Sequence, residues 1–557
     1  MSTQTSRVTR TNPQTSTFAS LETLLAQTEA VIEANAQTFL AMVIQAQRLE
    51  RRQRDKDAIV AARAAADFAS TNHTGMYVSP VLEALLLRIG QRHQRLAPKP
   101  THMQRSGPMR VLHVLTAAYD IGGHTRLLWR WIERDAGREH SVVLTHQRTL
   151  TPPQALRQSV ERSGGRIYNL DVHPSGLLKK ARQLADLREK AHLVVLHTHP
   201  YDVLPLLAFA PVNDDSTHDK APIALLNQAD HVFWLARSVS SLIVDFRHSG
   251  RDLSISRRGI PAANTALLPL PLQLPERRLT RAEAKTKLGL SPREKLIFSV
   301  ALPYKYTALG EVDFARIFST FALEQGVTVL VVGPERDTRW ANAEQVSGGR
   351  LRALGRRSDL SLFHQAADIY VDSFPFGSAT SLLEAGSYGV PVLTFSPVAD
   401  AGVMTLDDPA LPSAEITRTN LKAYCERLRE LLGSDRLRQQ AGQEIAARIA
   451  AAHTGEGWQQ QLEAMYALAQ NAPPMSLLTE AYKAKEPRDL LLASLSLLAG
   501  RSRSVQQVVT EHVQLLPLNS RLAHVLRTRE RPGRLLSDWL GQQYELLTGR
   551  GRPPISG

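Results

Sequence analysis

The sequence predicts an α/β protein with two doubly wound parallel sheets and additional helical regions at both ends. In the middle of the chain, short runs rich in Val, Ile and Leu alternate with helical segments, which is typical of parallel sheets. A stretch with several prolines and charges near 269–287 separates two such series of runs. Residues before about 108 and after about 471 show helical periodicity instead.

The first series of strands begins with the apolar run Arg110–Leu115. A loop containing Gly122, Gly123 and His124 follows, and a helix is expected from Leu127 onward. This strand, loop and helix form the opening unit of a doubly wound domain, although the loop lacks the G-x-G-x-x-G spacing of a nicotinamide site. Further strands are predicted at 141–145, 193–197 and 223–226.

The second series begins with the predicted strand Lys295–Val300, and Lys305 lies in the loop that follows it. Ligands of open α/β sheets bind outside the carboxyl ends of the strands, so a lysine at this place can neutralise a phosphate. The alternative is an ordinary surface lysine. Another strand is predicted at 328–332, and helices at 421–432, 435–451 and 459–469.

The most informative stretch is Ala367–Phe395, which predicts a strand, a loop, a helix over Thr380–Ser387 and a second strand. Thr380, Ser381 and Glu384 share one face of that helix, because they are three and four residues apart. Hydroxyl groups at a helix N-terminus favour a phosphate, and a carboxylate one turn deeper can accept hydrogen bonds from a ribose diol. The alternative is an ordinary strand–helix–strand unit with a solvated glutamate.

This stretch is similar to the donor-binding segment of GT-B glycosyltransferases, in which a carboxylate on a short helix precedes G-x-P-V, here Gly389 to Val392. The run from Ser378 to Ser381, with the acid that follows, resembles the inverting protein O-GlcNAc transferases and, more loosely, glycosyltransferase family 4. Phe376 stands where retaining enzymes carry the first of two glutamates. Ala379 stands where the O-GlcNAc transferases carry a histidine.

The resemblance covers about 109 to 470 and implies two Rossmann-like domains that face a cleft, flanked by helical regions. The implied boundaries are 1–108, 109–272, 273–470 with a crossing helix, and 471–557. The implied donor-binding residues are Gly122, Gly123, Lys305, Ser378, Thr380, Ser381 and Glu384. Lys305 is also expected to be catalytic by stabilising the departing diphosphate. His124 is the candidate general base, since a histidine in the cleft loop titrates near working pH.

Three other polar groups leave alternatives open. His197 and His199, with Asp202 nearby, suggest either metal ligands or residues lining the cleft. We favour the cleft because a third well-spaced ligand is lacking, and no metal is predicted. Asp230 and His231 are either catalytic or capping groups, and the arginines 356–357 lie either near the nucleotide base or in solvent.

Composition and charge restrict the class of protein. With 557 residues, 43% hydrophobic and 22% charged, the chain predicts several ordinary globular domains. The net charge of +14 allows a nucleic-acid partner, but the arginines are scattered, so none is predicted. The single cysteine, Cys425, excludes an intramolecular disulfide. No apolar run of membrane-spanning length or secretory leader is seen, and a cytoplasmic location is expected.

The helical ends predict further contacts. Their apolar stripes must be buried on the rest of the chain or on a partner, so an oligomer or a partner protein is possible. A helix is expected over 81–89, with Gly90 as its stop. The charge run at 50–57 is expected to be a solvated helix face.

The expected function is transfer of a hexosyl or N-acetylhexosaminyl group from a nucleotide-diphosphate sugar, UDP-linked, to a protein, lipid or glycan acceptor. The reaction is expected to be metal-independent and inverting, with no cofactor beyond the nucleotide sugar. The alternatives are a sugar-nucleotide epimerase and a non-catalytic interaction protein with a decayed transferase core.

Overall fold

The computed structural model describes residues 21–95, 107–120, 123–147, 151–172, 176–211, 220–324, 326–398, 407–473, 475 and 477–528. Within these ranges the protein contains a seven-stranded and a six-stranded sheet, and every strand pair is parallel. Helices flank both sheets. The predicted α/β class with two doubly wound sheets and helical ends is confirmed.

The first sheet has the strand order β3-β2-β1-β4-β5-β6-β7. Its strands are β1 (Arg110–Leu115), β2 (Glu139–Leu144), β3 (Ile167–Asn169), β4 (Leu193–His197), β5 (Ile223–Asn227), β6 (Leu242–Asp245) and β7 (Thr265–Leu267). The order reverses between β1 and β4, so a crevice for a ligand lies outside the carboxyl ends of these two strands. Its helices are α4 (Gly123–Arg134), α5 (Gln154–Arg162), α6 (Leu177–Arg188), α7 (Leu204–Ala208) and α8 (His248–Ser256).

The second sheet has the order β10-β9-β8-β11-β12-β13 and reverses between β8 and β11. Its strands are β8 (Lys295–Val300), β9 (Val327–Val332), β10 (Leu351–Ala353), β11 (Ile369–Val371), β12 (Val392–Phe395) and β13 (Thr417–Arg418). The loops after β8 and β11 therefore meet at its switch point. Its helices are α9 (Arg281–Lys287), α10 (Phe314–Phe321), α11 (Thr338–Val346), α12 (Ser361–Ala366), α13 (Ala379–Ser387), α14 (Ser413–Ile416), α15 (Leu421–Gly433) and α16 (Asp435–His453).

Helix α17 (Gly455–Asn471) follows the second sheet along the chain but packs on the first. Its Trp458 is fully buried and donates a hydrogen bond from Nε1 to the Pro269 carbonyl at 2.8 Å. On the next turns, the hydroxyl of Tyr466 accepts one from Trp131 of α4 at 2.9 Å. The last helix of the α/β core thus fixes the first sheet to the second.

The helical ends of the chain pack on each other. The N-terminal helices are α1 (Leu21–Arg51), α2 (Asp55–Thr71) and α3 (Pro80–Arg95), and the C-terminal helices are α18 (Pro487–Leu498), α19 (Val505–Val513) and α20 (Leu518–Thr528). Helix α1 contacts α2 and α18, and α19 contacts α2. Thr28 and Ser494 share a buried hydrogen bond of 2.7 Å. Much of the predicted apolar stripe is therefore buried within the chain.

One expectation about these helices is wrong. Helix α3 does not stop at Gly90 but continues to Arg95. A Cβ at Gly90 would lie 2.7 Å from the carbonyl oxygen of Leu207, so this glycine permits close packing against α7. The charge run 50–57 is solvated over most of its length, since 51–54 and 56 are exposed. It contains the corner between α1 and α2, where buried Glu50 accepts hydrogen bonds from Arg88 and Arg92.

Helix α4 begins at Gly123, four residues earlier than predicted. Its first turn is tied to the preceding loop, because the hydroxyl of Thr125 accepts a hydrogen bond from the backbone N–H of Tyr119 at 2.9 Å. The early start places a helix N-terminus directly at the crevice of the first sheet. None of the described helices has both the length and the apolar character needed to cross a bilayer.

Candidate active site

Lys305 joins the two loops at the switch point of the second sheet. Its Nζ donates a hydrogen bond of 2.7 Å to the carbonyl oxygen of Gly377, the residue before Ser378. The amine also lies over the ring of Phe376, 5.0 Å from its centre. The phenylalanine that replaces the acid of the retaining pattern thus supports the cation by a cation–π contact.

Few negatively charged groups act on the ammonium group of Lys305. Burial lowers its pKa to about 8, the carboxylate of Asp372 acts in the opposite direction, and Arg247 and Arg501 lower it further. In the described part of the protein, its hydrogen bond goes to a neutral carbonyl rather than to a carboxylate. At neutral pH the site therefore contains a half-buried ammonium group that an anionic ligand can pair with.

Asp372 holds the loop between β11 and α13 in place. Its fully buried carboxylate accepts hydrogen bonds from the backbone N–H groups of Ser373 and Ser378, each at 2.9 Å. Burial raises the pKa of Asp372 to about 6, although these hydrogen bonds and the charge of Lys305 oppose the rise. The sequence analysis did not select Asp372, but its position directly after a strand end was a usable signal.

The N-terminus of α13 presents the predicted hydroxyl groups. The Ser378 hydroxyl donates a hydrogen bond of 3.0 Å to the Ser381 hydroxyl. Thr380 is exposed, and Glu384 lies half-buried one turn further along the helix. The backbone N–H of Ser378 is already bound by Asp372, so this residue can offer a ligand only its hydroxyl.

Helix α4 faces α13 from the first sheet. A Cβ at Gly123 would lie 3.9 Å from Cγ2 of Thr380, so the N-termini of the two helices approach each other across the cleft. Both helix dipoles place partial positive charge there. Gly122, the other predicted glycine, lies outside the described residues. The arrangement brings Gly123, Thr380, Ser381 and Ser378 together, with Lys305 beside the loop that leads into α13.

The same face of α4 contains arginines that the sequence analysis missed. Arg126 and Arg130 are four residues apart and lie near Glu384, whose pKa is raised by burial and lowered by these two charges, with a net increase. Burial lowers the pKa of Arg130, and the charges of Arg126 and Arg134 add to this effect. Their i, i+4 spacing directly after the glycine loop was the available signal.

His124 lies at the start of α4 in its neutral form. Burial lowers its pKa to about 4, the nearby His199 lowers it further, and a hydrogen bond with the backbone of His197 opposes this. This pKa lies below the working pH near which the sequence predicted that His124 titrates, because the ring is buried. Its Nε2 has no hydrogen-bond partner among the described residues. The ring centre lies 6.1 Å from that of His199, which in turn stacks on Tyr119 at 6.4 Å. His124 can accept a proton or a hydrogen bond at Nε2.

The proposed metal alternative is not supported by the arrangement of its residues. His197 turns into the sheet and contacts His113 at 2.9 Å, whereas His199 contacts the Tyr201 hydroxyl at 3.2 Å. Asp202 accepts a hydrogen bond from Thr116 at 2.7 Å. Across the ranges that the structure describes, no cluster of three or more His, Cys, Asp and Glu side chains has the geometry of a metal site.

Asp230 and His231 contact each other, with Oδ1 of Asp230 3.2 Å from Nδ1 of His231, but their further partners differ. Asp230 accepts two hydrogen bonds from Arg247, at 2.6 and 2.7 Å. Burial alone would raise its pKa, but the charge and hydrogen bonds of Arg247 bring it well below the usual range. His231 instead packs against Phe376 with ring centres 5.1 Å apart, next to Lys305. Residues 356–357 are exposed, so the structure leaves both interpretations of these arginines open.

No known family model matches the chain, and no curated protein matches it. Solved structures similar to it include Anabaena HepE in complex with UDP and glucose, with 14% identity, a TM-score of 0.47, and coverage of 64% of this chain and 99% of that one. Another is a mutant of the Thermobaculum terrenum O-GlcNAc transferase, with 15% identity, a TM-score of 0.43, and coverage of 82% and 85%.

A third similar structure is the UDP-GlcNAc 2-epimerase from Neisseria meningitidis bound to UDP-GlcNAc, with 11% identity, a TM-score of 0.42, and coverage of 64% and 100%. Glycosyltransferases of the class that the motifs resemble are thus among the similar structures, together with an epimerase. All three resemblances concern the fold. What the site can bind is inferred from its own residues.

Proposed function

We propose that the protein is a glycosyltransferase that uses a UDP-linked hexose or N-acetylhexosamine as donor. The observation behind this proposal is that Lys305, the N-terminus of α13 and the N-terminus of α4 meet in one cleft. A Cβ at Gly123 of α4 would lie 3.9 Å from Cγ2 of Thr380 in α13. This arrangement concentrates positive charge and hydroxyl donors at one point, which suits a diphosphate.

In the proposed complex the diphosphate lies at the N-terminus of α13. Lys305 donates from Nζ to a phosphate oxygen, and the hydroxyls of Thr380 and Ser381 donate to others. Ser378 donates its hydroxyl hydrogen to Ser381 and so holds that hydroxyl in place. Glu384, one turn deeper, accepts hydrogen bonds from the ribose diol. The open backbone of Gly123 lets the first sheet approach the donor, as the early start of α4 permits.

In the proposed reaction an acceptor hydroxyl or amide attacks the anomeric carbon of the sugar. The bond between that carbon and the diphosphate oxygen breaks, and the negative charge that grows on the leaving diphosphate is stabilised by Lys305 and the dipole of α13. His124 takes the proton of the acceptor at Nε2. Lys305 and the dipole of α13 supply the positive charge that a metal provides in other enzymes. The single displacement inverts the anomeric centre.

Phe376 supports the inverting course of this proposal. At the position where a retaining enzyme carries an acid, this protein has a ring that packs under Lys305, and a ring cannot act as a carboxylate. The acceptor class, protein, lipid or glycan, stays open, and the cytoplasmic location predicted from the sequence stays a prediction.

A screen of nucleotide sugars tests the proposal. The purified protein is incubated with UDP-glucose, UDP-galactose and UDP-N-acetylglucosamine, and the release of UDP is measured alongside calorimetric titration with UDP. We expect UDP to bind and at least one donor to be hydrolysed slowly, with UDP affinity about tenfold weaker and hydrolysis reduced in Glu384→Ala. Conversion of a donor to its epimer without UDP release would show an epimerase. Absence of UDP binding would indicate a non-catalytic protein.

A further inference from the structure

Three buried histidines form a row across the first sheet. His197 at the end of β4 contacts His113 of β1, with Nε2 2.9 Å from Nδ1, and His113 contacts His140 of β2, with Nε2 3.0 Å from Nδ1. All three side chains are fully buried. We call His197, His113 and His140 the histidine row. None of these three residues has a part in the proposed reaction.

One end of the row is fixed by Asp135. The Nε2 of His140 faces two oxygens of this residue, a carboxylate oxygen at 3.2 Å and the backbone carbonyl oxygen at 3.3 Å. The carboxylate also accepts hydrogen bonds from Arg138 at 2.7 Å and from the Tyr466 hydroxyl at 2.5 Å. Burial raises the pKa of Asp135, but its hydrogen bonds with His140, Tyr466 and Arg138 lower it more, so it is ionised.

This anchor determines the position of one proton of the row. Carboxylate and carbonyl oxygens only accept hydrogen bonds, so Nε2 of His140 must hold a hydrogen. Burial holds the pKa of His113 and of His197 well below the ordinary value, and neighbouring histidines lower both further. A neutral ring bears hydrogen on only one nitrogen, so His113 and His197 each donate at one nitrogen and accept at the other. In the order in which His140 carries hydrogen at Nε2 alone, each Nδ1 in the row accepts a hydrogen bond from the Nε2–H of the neighbouring ring.

The other end of the row is Gln228, directly after β5. Its Nε2 lies 3.2 Å from Nδ1 of His197. In this order that Nδ1 accepts, so the amide group presents its NH₂ to the histidine and turns its oxygen away from it. Gln228 is partly exposed, and its Oε1 forms no hydrogen bond within the described residues. The orientation of this amide is thus set by a carboxylate four hydrogen bonds away.

Gln228 lies on the first-sheet wall of the candidate site. On one side its partner His197 lies beside His124, with ring centres 6.3 Å apart. His124 directly follows Gly123, which faces Thr380. On the other side, three residues further along, His231 packs on Phe376 below Lys305. Gln228 is thus connected to His124 through His197, and it precedes by three residues the histidine that packs beside Lys305.

We propose that Gln228 accepts, through Oε1, a hydrogen bond from a hydroxyl group of the sugar carried by the donor, and that the histidine row and Asp135 hold the amide in this orientation. The inference deepens the proposed function and rests on it. Gln228 is the contact residue, whereas Asp135 and the histidines act through it as positioning residues. A hydrogen bond to an oxygen whose orientation is fixed discriminates sugars that lack the hydroxyl.

Calorimetry with UDP, UDP-glucose and UDP-N-acetylglucosamine separates the sugar from the nucleotide. In Gln228→Leu we expect the affinity for the UDP-sugars to fall about tenfold while the affinity for UDP stays unchanged, since one hydrogen bond is lost and one polar partner is left unpaired. Gln228→Glu keeps an acceptor oxygen and should retain most of the sugar-dependent affinity. Gln158→Leu, at an exposed position of α5, is the matched control and should change neither.

Asp135→Asn tests the positioning role. An asparagine can present NH₂ instead of oxygen to His140, so the proton order of the row is no longer imposed. We expect the sugar-dependent part of the affinity to fall, with UDP binding retained. Because this buried substitution can prevent folding, ¹⁵N NMR of the wild-type histidines provides a second measurement that needs no variant and no ligand. It should show the Nε2–H tautomer at all three histidines.

The outcomes are distinct. An Nδ1–H tautomer at His197, or equal effects of Gln228→Leu on UDP and on the UDP-sugars, would overturn the assignment of Gln228 while leaving the proposed function intact. Unchanged affinity for every ligand in that variant would do the same. If the wild-type protein binds neither UDP nor the UDP-sugars, the proposed function and the sugar contact fail together, and the NMR result still decides the proton order of the row.

Discussion

The side chain of Lys305 and the backbone of Gly377 are joined by a 2.7 Å hydrogen bond, although they are 72 positions apart in the sequence. This bond connects the loop after β8 to the loop that leads into α13, so the ammonium group both supports the second loop and remains available to a ligand. A lysine placed in this way can contribute to ligand affinity and to loop order at once.

Replacing this lysine should separate the two contributions. In Lys305→Ala we expect UDP affinity to fall at least tenfold, because a charge-assisted hydrogen bond contributes about 1.5–3 kcal/mol. Calorimetry with UDP measures the effect. Lys295→Ala, at the other end of β8, removes a surface ion pair with Asp435 and is the matched control. Equal affinities in wild type and Lys305→Ala would show that the diphosphate does not bind here.

The pH dependence of UDP binding follows from the lowered pKa of Lys305. The charged form is lost as pH rises through about 8, so UDP affinity should decrease from pH 7 to pH 9. In Lys305→Arg the charge persists, and the decrease should be much smaller. An identical pH profile in the two proteins would argue against Lys305 as the titrating group.

In the absence of ligand, the contribution of Lys305 to the free energy of unfolding should increase with pH, whereas UDP affinity decreases. The pKa of Lys305 is about 8 in the folded protein and near 10.5 in the unfolded chain, so the unfolded chain binds more protons between these values. The contribution of this residue to the free energy of unfolding should therefore increase as pH rises from 8 to 10.5. Urea unfolding of wild type and Lys305→Ala at several pH values measures this difference.

Glu384 can be tested through the ribose it is proposed to contact. The wild-type protein should bind UDP about tenfold more tightly than 2′-deoxy-UDP, because the carboxylate loses a hydrogen-bond donor in the deoxy nucleotide. In Glu384→Leu this preference should disappear, whereas Glu456→Leu, at an exposed position on α17, should keep it. If Glu384 interacts only with Arg126 and Arg130, the affinities for UDP and for 2′-deoxy-UDP will change equally in Glu384→Leu.

Asp407 connects the two sheets at another point. Its carboxylate accepts hydrogen bonds from the backbone N–H of Ser249 at 2.6 Å and from the Ser249 hydroxyl at 2.8 Å, at the N-terminus of α8. Asp407→Ala should reduce the free energy of unfolding by about 1–2 kcal/mol, as loss of a helix cap does. Asp252→Ala, at an exposed position of the same helix, should have little effect. Chemical denaturation of both variants measures the difference.

The fold was predictable because its signals are local. Each apolar run of the α/β core, from Arg110–Leu115 to Lys295–Val300, becomes a strand at nearly the predicted bounds. Parallel strands place their carboxyl ends at one edge of the sheet. The loop of Lys305 and the helix of Thr380 therefore meet, although the contact between them was not visible in the sequence.

Other features depend on residues that are distant in the sequence. His113, His140 and His197 come from three strands, and no spacing within one segment indicates that they touch. Asp372 acts through backbone N–H groups, which a sequence pattern does not reveal. The glycine at position 90 was misinterpreted because its role is set by helix α7, more than a hundred residues later.

Asp489 of α18 lies at the contact between the two ends of the described chain. Its fully buried carboxylate contacts His73 at 2.9 Å, accepts a hydrogen bond from Tyr77 at 3.2 Å, and pairs with Arg257 at 3.1 Å. During synthesis, α1 and α2 leave the ribosome several hundred residues before the helices that cover them; the Thr28 and Ser494 hydroxyls that bond to each other are 466 positions apart. The nascent protein must therefore keep an uncovered apolar face until α18 has been synthesised, which makes it a natural client for chaperones.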